Sequence, residues 1–225
     1  MGFSPGTLDL IAEWTEAYGI RPGAGILDIG TSELYCADDP DSLNRFLAKY
    51  GAEAYPPSEL HKMANRGFAA GLLRRAGYRY LAIDVQDFPN TLRLDLNHNK
   101  LPLWHRRRYS LVLNCGTTEH VANQLNAFRL IHDATAVGGV MYHGVPMGDW
   151  EHGLISYTPR FFEALSDANG YDRLKLWAWS STDEKPFPWI GLFDQPYASR
   201  VAWLHVLLRR TTKQPFRPPL DHTTQ

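Results

Sequence analysis

Apolar positions along the chain fall into two alternating patterns. Short apolar runs bounded by glycine or polar residues are typical of buried parallel strands. Seven such strands are predicted, over 26–30, 80–85, 91–94, 109–115, 140–143, 174–179 and 200–208. Apolar residues at helical spacing predict helices over 5–18, 42–50, 58–76, 119–136 and 158–169. Because strands alternate with helices, the fold class expected is α/β, a doubly wound and mostly parallel seven-stranded sheet.

Capping residues set the expected ends of the helices and the domain organisation. Ser4 and Pro5 begin an N-terminal helix that Gly19 ends, and Ser58 is expected to cap a long helix that continues to Ala76. At 225 residues the chain suits one domain. We expect that domain over 1–212, with an insertion at about 34–57, cap-forming loops at about 145–197 and a flexible tail over 213–225.

Composition and charge narrow the classes of partner. There are 23 Lys and Arg residues against 24 Asp and Glu, a net charge of -1, so no global field attracts nucleic acid or an anionic membrane. Seven Trp, eleven Tyr, ten Phe and nine His indicate an aromatic pocket with titratable groups. The start of the chain does not look like a secretory signal, and Cys36 and Cys115 look like free thiols, which predicts a cytoplasmic protein.

Polar residues cluster where the predicted strands end. Asp28 and Gly30 end the first strand, Asp84 ends the second, Asp95 follows the third and His143 ends the fifth. The stretch 114–116 ends the fourth. In open parallel sheets the ligand lies at the carboxyl ends of the strands. Gly30 would let a cofactor approach the backbone, and Asp84 is where such folds place an acid on ribose hydroxyls. The alternative is that Gly30 only forms a tight turn and that Asp84 is only a solvated surface acid.

The loop after the first strand does not suit a phosphate. It reads Gly-Thr-Ser-Glu-Leu-Tyr over 30–35, without the later glycines of a dinucleotide-binding loop, and Glu33 would repel a pyrophosphate. The sequence contains no G-x-x-x-x-G-K-[ST] motif either. A cofactor without phosphate therefore fits the loop better.

The motifs, taken in order, resemble those of class I S-adenosylmethionine-dependent methyltransferases. The resemblance rests on 26–30, Asp84, 94–96, 109–120 and the Gly138-Gly139 turn, and the stretch 114–120 is similar to the Leu-Glu-His segment of the methyltransferase-11 subgroup. It covers about 25–144 and implies a Rossmann-like methyltransferase fold. The departure is the first motif, which keeps Asp28 and Gly30 but lacks the usual later glycines.

The resemblance also implies a cofactor site for S-adenosylmethionine, with S-adenosylhomocysteine as the product. Backbone access near the carboxypropyl arm would come from Gly30 and Thr31, and both ribose hydroxyls would bind Asp84. The adenine would be read by Asp95 and the Leu96 amide, and the methionine ammonium would bind Glu33 or Glu119. The complete set of expected cofactor residues is Asp28, Gly30, Thr31, Glu33, Asp84, Val85, Asp95, Leu96, Asn114, Cys115, Gly116 and Glu119.

Histidines near the same sheet edge are candidates for catalysis. Because the pKa of histidine lies near neutrality, we expect His152 first, and His120 second, to act as base or as acceptor-orienting group. A hydrogen-bonded structural histidine is the alternative for each. Expected substrate-binding residues are His143, Trp150, Tyr157 and Trp189. We expect no metal, because neither an H-x-x-x-H nor a C-x-x-C spacing occurs.

These features predict methyl transfer to an oxygen or nitrogen of a small-molecule acceptor by in-line displacement. Two alternatives stay open: a methyltransferase-like binding or scaffold subunit without catalysis, and a nucleotide-dependent oxidoreductase. The expected partner is a small molecule, with neither nucleic acid nor membrane. The aromatic residues leave a homodimer open.

Overall fold

A computed structural model describes residues 2–148, 152–180, 187–188 and 202–220. Its strands are β1 (Gly2–Phe3), β2 (Gly25–Ile29), β3 (Glu33–Tyr35), β4 (Asn65–Phe68), β5 (Arg79–Asp84), β6 (Thr91–Arg93), β7 (Tyr109–Cys115), β8 (Thr135–Met147), β9 (Tyr171–Ser180), β10 (Phe187–Pro188) and β11 (Ala202–Arg210). Its helices are α1 (Pro5–Ala17), α2 (Asp41–Ala48), α3 (Pro57–Ala64), α4 (Ala69–Arg75), α5 (Gln124–Ala134) and α6 (Pro159–Asn169).

The main sheet has the strand order β10-β9-β11-β8-β7-β2-β5-β6. Neighbouring strands from β6 to β8 are all parallel, whereas β11 is antiparallel to both β8 and β9. The order reverses between β2 and β7, which places a crevice at their carboxyl ends. The predicted α/β, mostly parallel seven-stranded sheet is confirmed, with the two-residue β10 as an added edge.

Alternating side chains of the central strands divide the core between the two faces of the sheet. Ile26 packs in a cluster with α1, whereas Leu27, its neighbour in β2, packs in a second cluster with α5 and α6. Strand β2 is buried along its whole length because it has helices on both sides. Ser4 caps α1 through the Thr7 amide, as predicted.

The prediction of one helix over 58–76 is wrong, because the structure has two helices there with a strand between them. Helix α3 ends at Ala64 and α4 begins at Ala69, with strand β4 between them. Arg66 adopts a φ of 63°, which no α-helix tolerates. Strand β4 pairs with β3, which also pairs with β1, to form a small second sheet. Strands β3 and β4 lie at the two ends of the segment that contains most of the expected insertion.

The helix predicted from 119 begins later, at Gln124. Asn123 caps it by accepting the Asn126 amide, and the residues Thr118–His120 form a separate 3-10 turn. This difference affects the candidate site, because it places Glu119 and His120 in a turn between β7 and α5 rather than on a long helix.

The described part of the expected tail, 213–220, is packed on the domain. The guanidinium of Arg210 is buried and donates to the carbonyls of His132 and Gln214. Asn169 donates to the Arg217 carbonyl and accepts from its amide. These hydrogen bonds tie the segment to the domain, and the flexibility expected for 213–225 stays a prediction.

Cys36 and Cys115 are both free thiols, as predicted. Within the described ranges, no helix combines the length and hydropathy that a membrane crossing requires.

Candidate functional site

The carboxyl ends of four neighbouring strands are tied together by polar contacts. The Thr31 amide donates to Asp84 Oδ2 over 2.9 Å, which joins the ends of β2 and β5. The Thr117 hydroxyl donates to the Ile29 carbonyl, which joins the β7 turn to β2. Asn114 Nδ2 lies 3.2 Å from His143 Nδ1, between β7 and β8. These contacts gather the predicted strand-end residues at one edge of the sheet.

The loop after β2 is held at this edge by its backbone amides. Gly30 has a φ of 86°, and its amide donates to the Ile83 carbonyl over 2.7 Å. Asp84 is half-buried and also accepts the Gln86 amide through Oδ1, at 3.0 Å. Its carboxylate is thus fixed at the end of β5 by two backbone donors, while part of it remains open to solvent and a ligand.

Asp28 lies beneath that loop rather than in it. Its side chain is fully buried, and Oδ2 accepts the Ser32 amide at 3.2 Å and the Tyr80 hydroxyl at 2.7 Å. Burial raises the pKa of the Asp28 carboxyl from 3.8 to about 7, against the lowering effect of these hydrogen bonds. Asp28 therefore positions the loop from below and has no surface with which to contact a cofactor.

Three further expected cofactor residues follow strands β5 and β6. Val85 is exposed, Leu96 is buried, and Asp95 Oδ1 accepts the Asn97 amide at 2.8 Å. The Asn97 hydrogen bonds hold the pKa of the Asp95 carboxyl below its usual range. Asp95 thus caps its own turn, and its second oxygen lies 3.9 Å from His98.

The end of β7 lies between the loop and β8. Asn114 is fully buried and donates to the Thr118 hydroxyl over 2.8 Å. Gly116 has a φ of 79° and donates to the Gly144 carbonyl over 2.9 Å. Burial, with Asp28 and Glu119 nearby, raises the pKa of the Cys115 thiol well above its usual value, so Cys115 is a neutral packing group.

Glu119, His120 and His152 form the most unusual polar cluster of the described residues. The Glu119 side chain is completely buried, and His152 Nε2 lies 3.4 Å and His120 Nε2 3.9 Å from its Oε1 atom. Burial raises the pKa of the Glu119 carboxyl, and burial with His152 nearby lowers the pKa of His120. One donor atom from each residue lies within 4.8 Å of the others.

The segment 152–155 is held against Glu119 by its backbone. The amides of Leu154 and Ile155 both donate to the Glu119 carbonyl, over 2.7 and 3.0 Å. Gly153 adopts a φ of +80°, and a Cβ built there would lie 2.9 Å from Glu119 Cγ and 3.0 Å from its carbonyl oxygen. Glycine is therefore required both for the backbone conformation and for the close approach.

We expect Gly153→Ala to lower the free energy of unfolding by more than Gly138→Ala. Both glycines have positive φ, which costs an alanine about 1 to 2 kcal/mol, but Gly138 has open space around it. Overpacking against Glu119 should add about 1 to 3 kcal/mol at 153. Urea unfolding of the two variants provides the comparison, and equal losses would show that the contact with Glu119 contributes nothing.

Two expected substrate residues lie in the core. His143 is buried against Phe128 and Phe162, and burial lowers its pKa to about 3, so it is neutral. Tyr157 is buried against the same two rings, and its hydroxyl donates to Gln124. Neither side chain reaches the surface, so their placement does not support contact with an acceptor. The other two, Trp150 and Trp189, lie outside the described residues.

Glu33 lies on β3, at the margin of the loop. Its Oε2 atom is 3.7 Å from the Arg66 guanidinium and accepts the Tyr35 hydroxyl at 3.0 Å. The carboxylate is thus engaged by the small second sheet, a contact that the sequence analysis did not predict.

A cavity of about 760 Å³ lies at the opposite edge of the sheet. Gly25, Arg79 and Tyr109, which line it, are the first residues of β2, β5 and β7. It is therefore remote from the strand-end polar groups, and its size does not identify it as the functional site.

Comparison with solved structures identifies the fold. The chain is similar to a protein from Galdieria sulphuraria assigned as a sarcosine dimethylglycine methyltransferase, with 14% identity, 91% and 85% of the two chains covered and a TM-score of 0.55. It is also similar to a coclaurine N-methyltransferase bound to N-methylheliamine and S-adenosylhomocysteine, with 12% identity, 90% and 70% coverage and a TM-score of 0.50.

A third similar structure, the 4+2 cyclase SpnF, has 13% identity, 92% and 81% coverage and a TM-score of 0.52. No family profile and no curated protein matches the sequence. The chain thus has the fold of S-adenosylmethionine-dependent methyltransferases, a fold that also includes a cyclase.

Proposed function

We propose that this protein binds S-adenosylmethionine and transfers its methyl group to an oxygen or nitrogen of a small-molecule acceptor. The observation that carries the proposal is the Asp84 carboxylate, fixed by the Thr31 and Gln86 amides at the carboxyl end of β5. Together with the methyltransferase fold, it supports a site for a nucleoside with free ribose hydroxyls.

The cofactor residues differ in how they would act. Asp84 would accept the ribose hydroxyls, and the methionine arm would lie along the backbone of Gly30 and Thr31, whose amides donate to Ile83 and Asp84. Asp95 and the Leu96 amide would read the adenine, beside exposed Val85. Asp28 and Asn114, both buried, position the loops from within. A dinucleotide is disfavoured because Glu33 places a carboxylate beside the loop that would receive its pyrophosphate.

The chemical step needs alignment more than activation. The acceptor atom donates a lone pair to the methyl carbon, the carbon–sulfur bond breaks with its electron pair going to sulfur, and the sulfonium becomes a neutral thioether. An acceptor hydroxyl or ammonium also loses one proton, which passes to a base or to solvent. Holding nucleophile, methyl and sulfur in line can supply about 7 to 11 kcal/mol.

His152 and His120 are the groups that we place against the acceptor. They are partly exposed, at 39% and 48%, and both face buried Glu119. The ring of His152 also packs on Trp203 of β11, at 5.3 Å between centroids, which fixes one wall of the site. Such a histidine can take the acceptor's proton or orient the acceptor.

Transfer of labelled methyl from S-adenosylmethionine into the low-molecular-mass fraction of a cell extract tests the activity. We expect incorporation that depends on the protein and falls with Asp84→Ala. Cofactor binding without incorporation would favour the alternative of a non-catalytic binding subunit. Binding of NAD instead of S-adenosylmethionine would favour the oxidoreductase.

A further inference from the structure

The buried carboxylate of Glu119 receives no well-aligned hydrogen bond from the described residues, although His152 Nε2 lies 3.4 Å from its Oε1 atom. Its side chain has no exposed surface. A buried carboxylate with no well-aligned hydrogen bond is unfavourable, so it is normally ion-paired, protonated or bound to a metal. Glu119 therefore points to a ligand at this position.

Two imidazoles face the same oxygen of this carboxylate. His152 Nε2 and His120 Nε2 lie 3.4 and 3.9 Å from Glu119 Oε1, and their rings are 5.1 Å apart. One proton can join the carboxylate to only one of the two nitrogens. A cation among the three donor atoms interacts with all of them at once.

We propose that Glu119, His120 and His152 bind one divalent transition-metal ion, and that this ion orients the acceptor's oxygen for methylation. The second part rests on the proposed function, whereas the ion site stands on its own geometry. Of the two histidine roles left open above, this arrangement selects orientation, because an imidazole that coordinates a metal through Nε2 is no longer free as a base.

The donor set and its spacing suit such an ion. Ligand atoms about 2.1 Å from a zinc-type ion lie roughly 3 to 3.5 Å apart, so the 3.4 Å between Glu119 and His152 fits directly. His120 is half-exposed, so its ring can close the remaining distance. Two histidines and one carboxylate leave coordination positions open, as in catalytic zinc and non-haem iron sites, whereas Mg²⁺ and Ca²⁺ prefer oxygen donors alone.

The ion would have a defined task in this site. Bound to the acceptor's oxygen, a divalent cation lowers the pKa of that hydroxyl and fixes its position. The proton then leaves to solvent as the new carbon–oxygen bond forms. The segment 152–155, docked on the Glu119 carbonyl, would hold the ligands in register.

Titration of the untagged, chelator-stripped full chain with Co²⁺ tests the site without needing an acceptor. Visible absorption bands report Co²⁺ bound to nitrogen and oxygen donors, and calorimetry with Zn²⁺ reports stoichiometry. We expect one ion to bind per chain. Glu119→Gln, His120→Ala and His152→Ala should each lower the affinity for the ion by more than about ten-fold. His61→Ala, which removes an exposed histidine on α3, should leave binding unchanged.

The outcomes separate this proposal from the proposed function. Absence of Co²⁺ bands, or binding that none of the three variants weakens, would overturn the metal site. Because Glu119 is buried, Glu119→Gln could unfold the protein. In that case the test rests on His120→Ala and His152→Ala, which change partly exposed side chains. Binding of S-adenosylhomocysteine is measured on the same stripped protein. A protein that binds S-adenosylhomocysteine but not Co²⁺ overturns only the metal site. A protein that binds Co²⁺ but not S-adenosylhomocysteine overturns only the methyltransferase assignment.

Discussion

Asp84→Ala should weaken the binding of S-adenosylhomocysteine by about 1 to 3 kcal/mol, or roughly 5- to 150-fold. The carboxylate is the proposed acceptor for both ribose hydroxyls, and its loss leaves them without partners in the bound state. Its loss also frees the Thr31 amide, which it holds at 2.9 Å, so the loop after β2 becomes less ordered. Isothermal calorimetry on the wild type and the variant measures the difference.

Asp87→Ala is the matched control, because Asp87 follows on the same loop but is exposed. We expect its affinity to equal that of the wild type. If Asp84→Ala also bound with unchanged affinity, Asp84 would not be part of the cofactor site.

Asp28→Asn should make the protein more stable than the wild type above neutral pH. Burial raises the pKa of the Asp28 carboxyl from 3.8 to about 7 in the folded protein, so the native state binds the proton more tightly than the unfolded chain. The contribution of Asp28 to the free energy of unfolding therefore falls as the pH rises from about 4 to about 7 and is level beyond. A difference of about three pH units, at about 1.4 kcal/mol for each, amounts to about 4 kcal/mol.

The amide has the shape of the protonated acid but does not ionise. We expect similar free energies of unfolding for wild type and Asp28→Asn near pH 4, and an advantage of up to about 4 kcal/mol for the variant near pH 8. Asp95→Asn is the control, because the pKa of that carboxyl is lowered and its substitution should bring no such gain. A stability difference between wild type and Asp28→Asn that does not change with pH would contradict the assignment.

The strands were predictable because their signal is local. Strands β2, β5 and β7 are continuous apolar runs buried between two helical layers, and the structure confirms them within one or two residues. The small sheet of β1, β3 and β4 was not predictable, because its two- to four-residue strands depend on pairings between distant parts of the chain. The helical periodicity of 58–76 continues through a segment that long-range pairing pulls into β4.

The candidate site was predictable only in part, for the same reason. Residues at strand ends, such as Gly30 and Asp84, must meet at one edge once the sheet is parallel. Glu119 and His152 lie 33 positions apart with no motif spacing. They meet because the segment 152–155 docks on the Glu119 carbonyl, with Gly153 allowing the close approach. The His152-Gly153 pair was the one local signal that could have suggested it. His143 and Tyr157 are buried in the core, and burial of this kind is likewise a property of the folded chain.

Titration of the wild-type protein with S-adenosylhomocysteine in a calorimeter tests the central claim most directly. We expect saturable binding at one site per chain, with a matching rise in the melting temperature. No detectable heat and no thermal shift at millimolar ligand would contradict it.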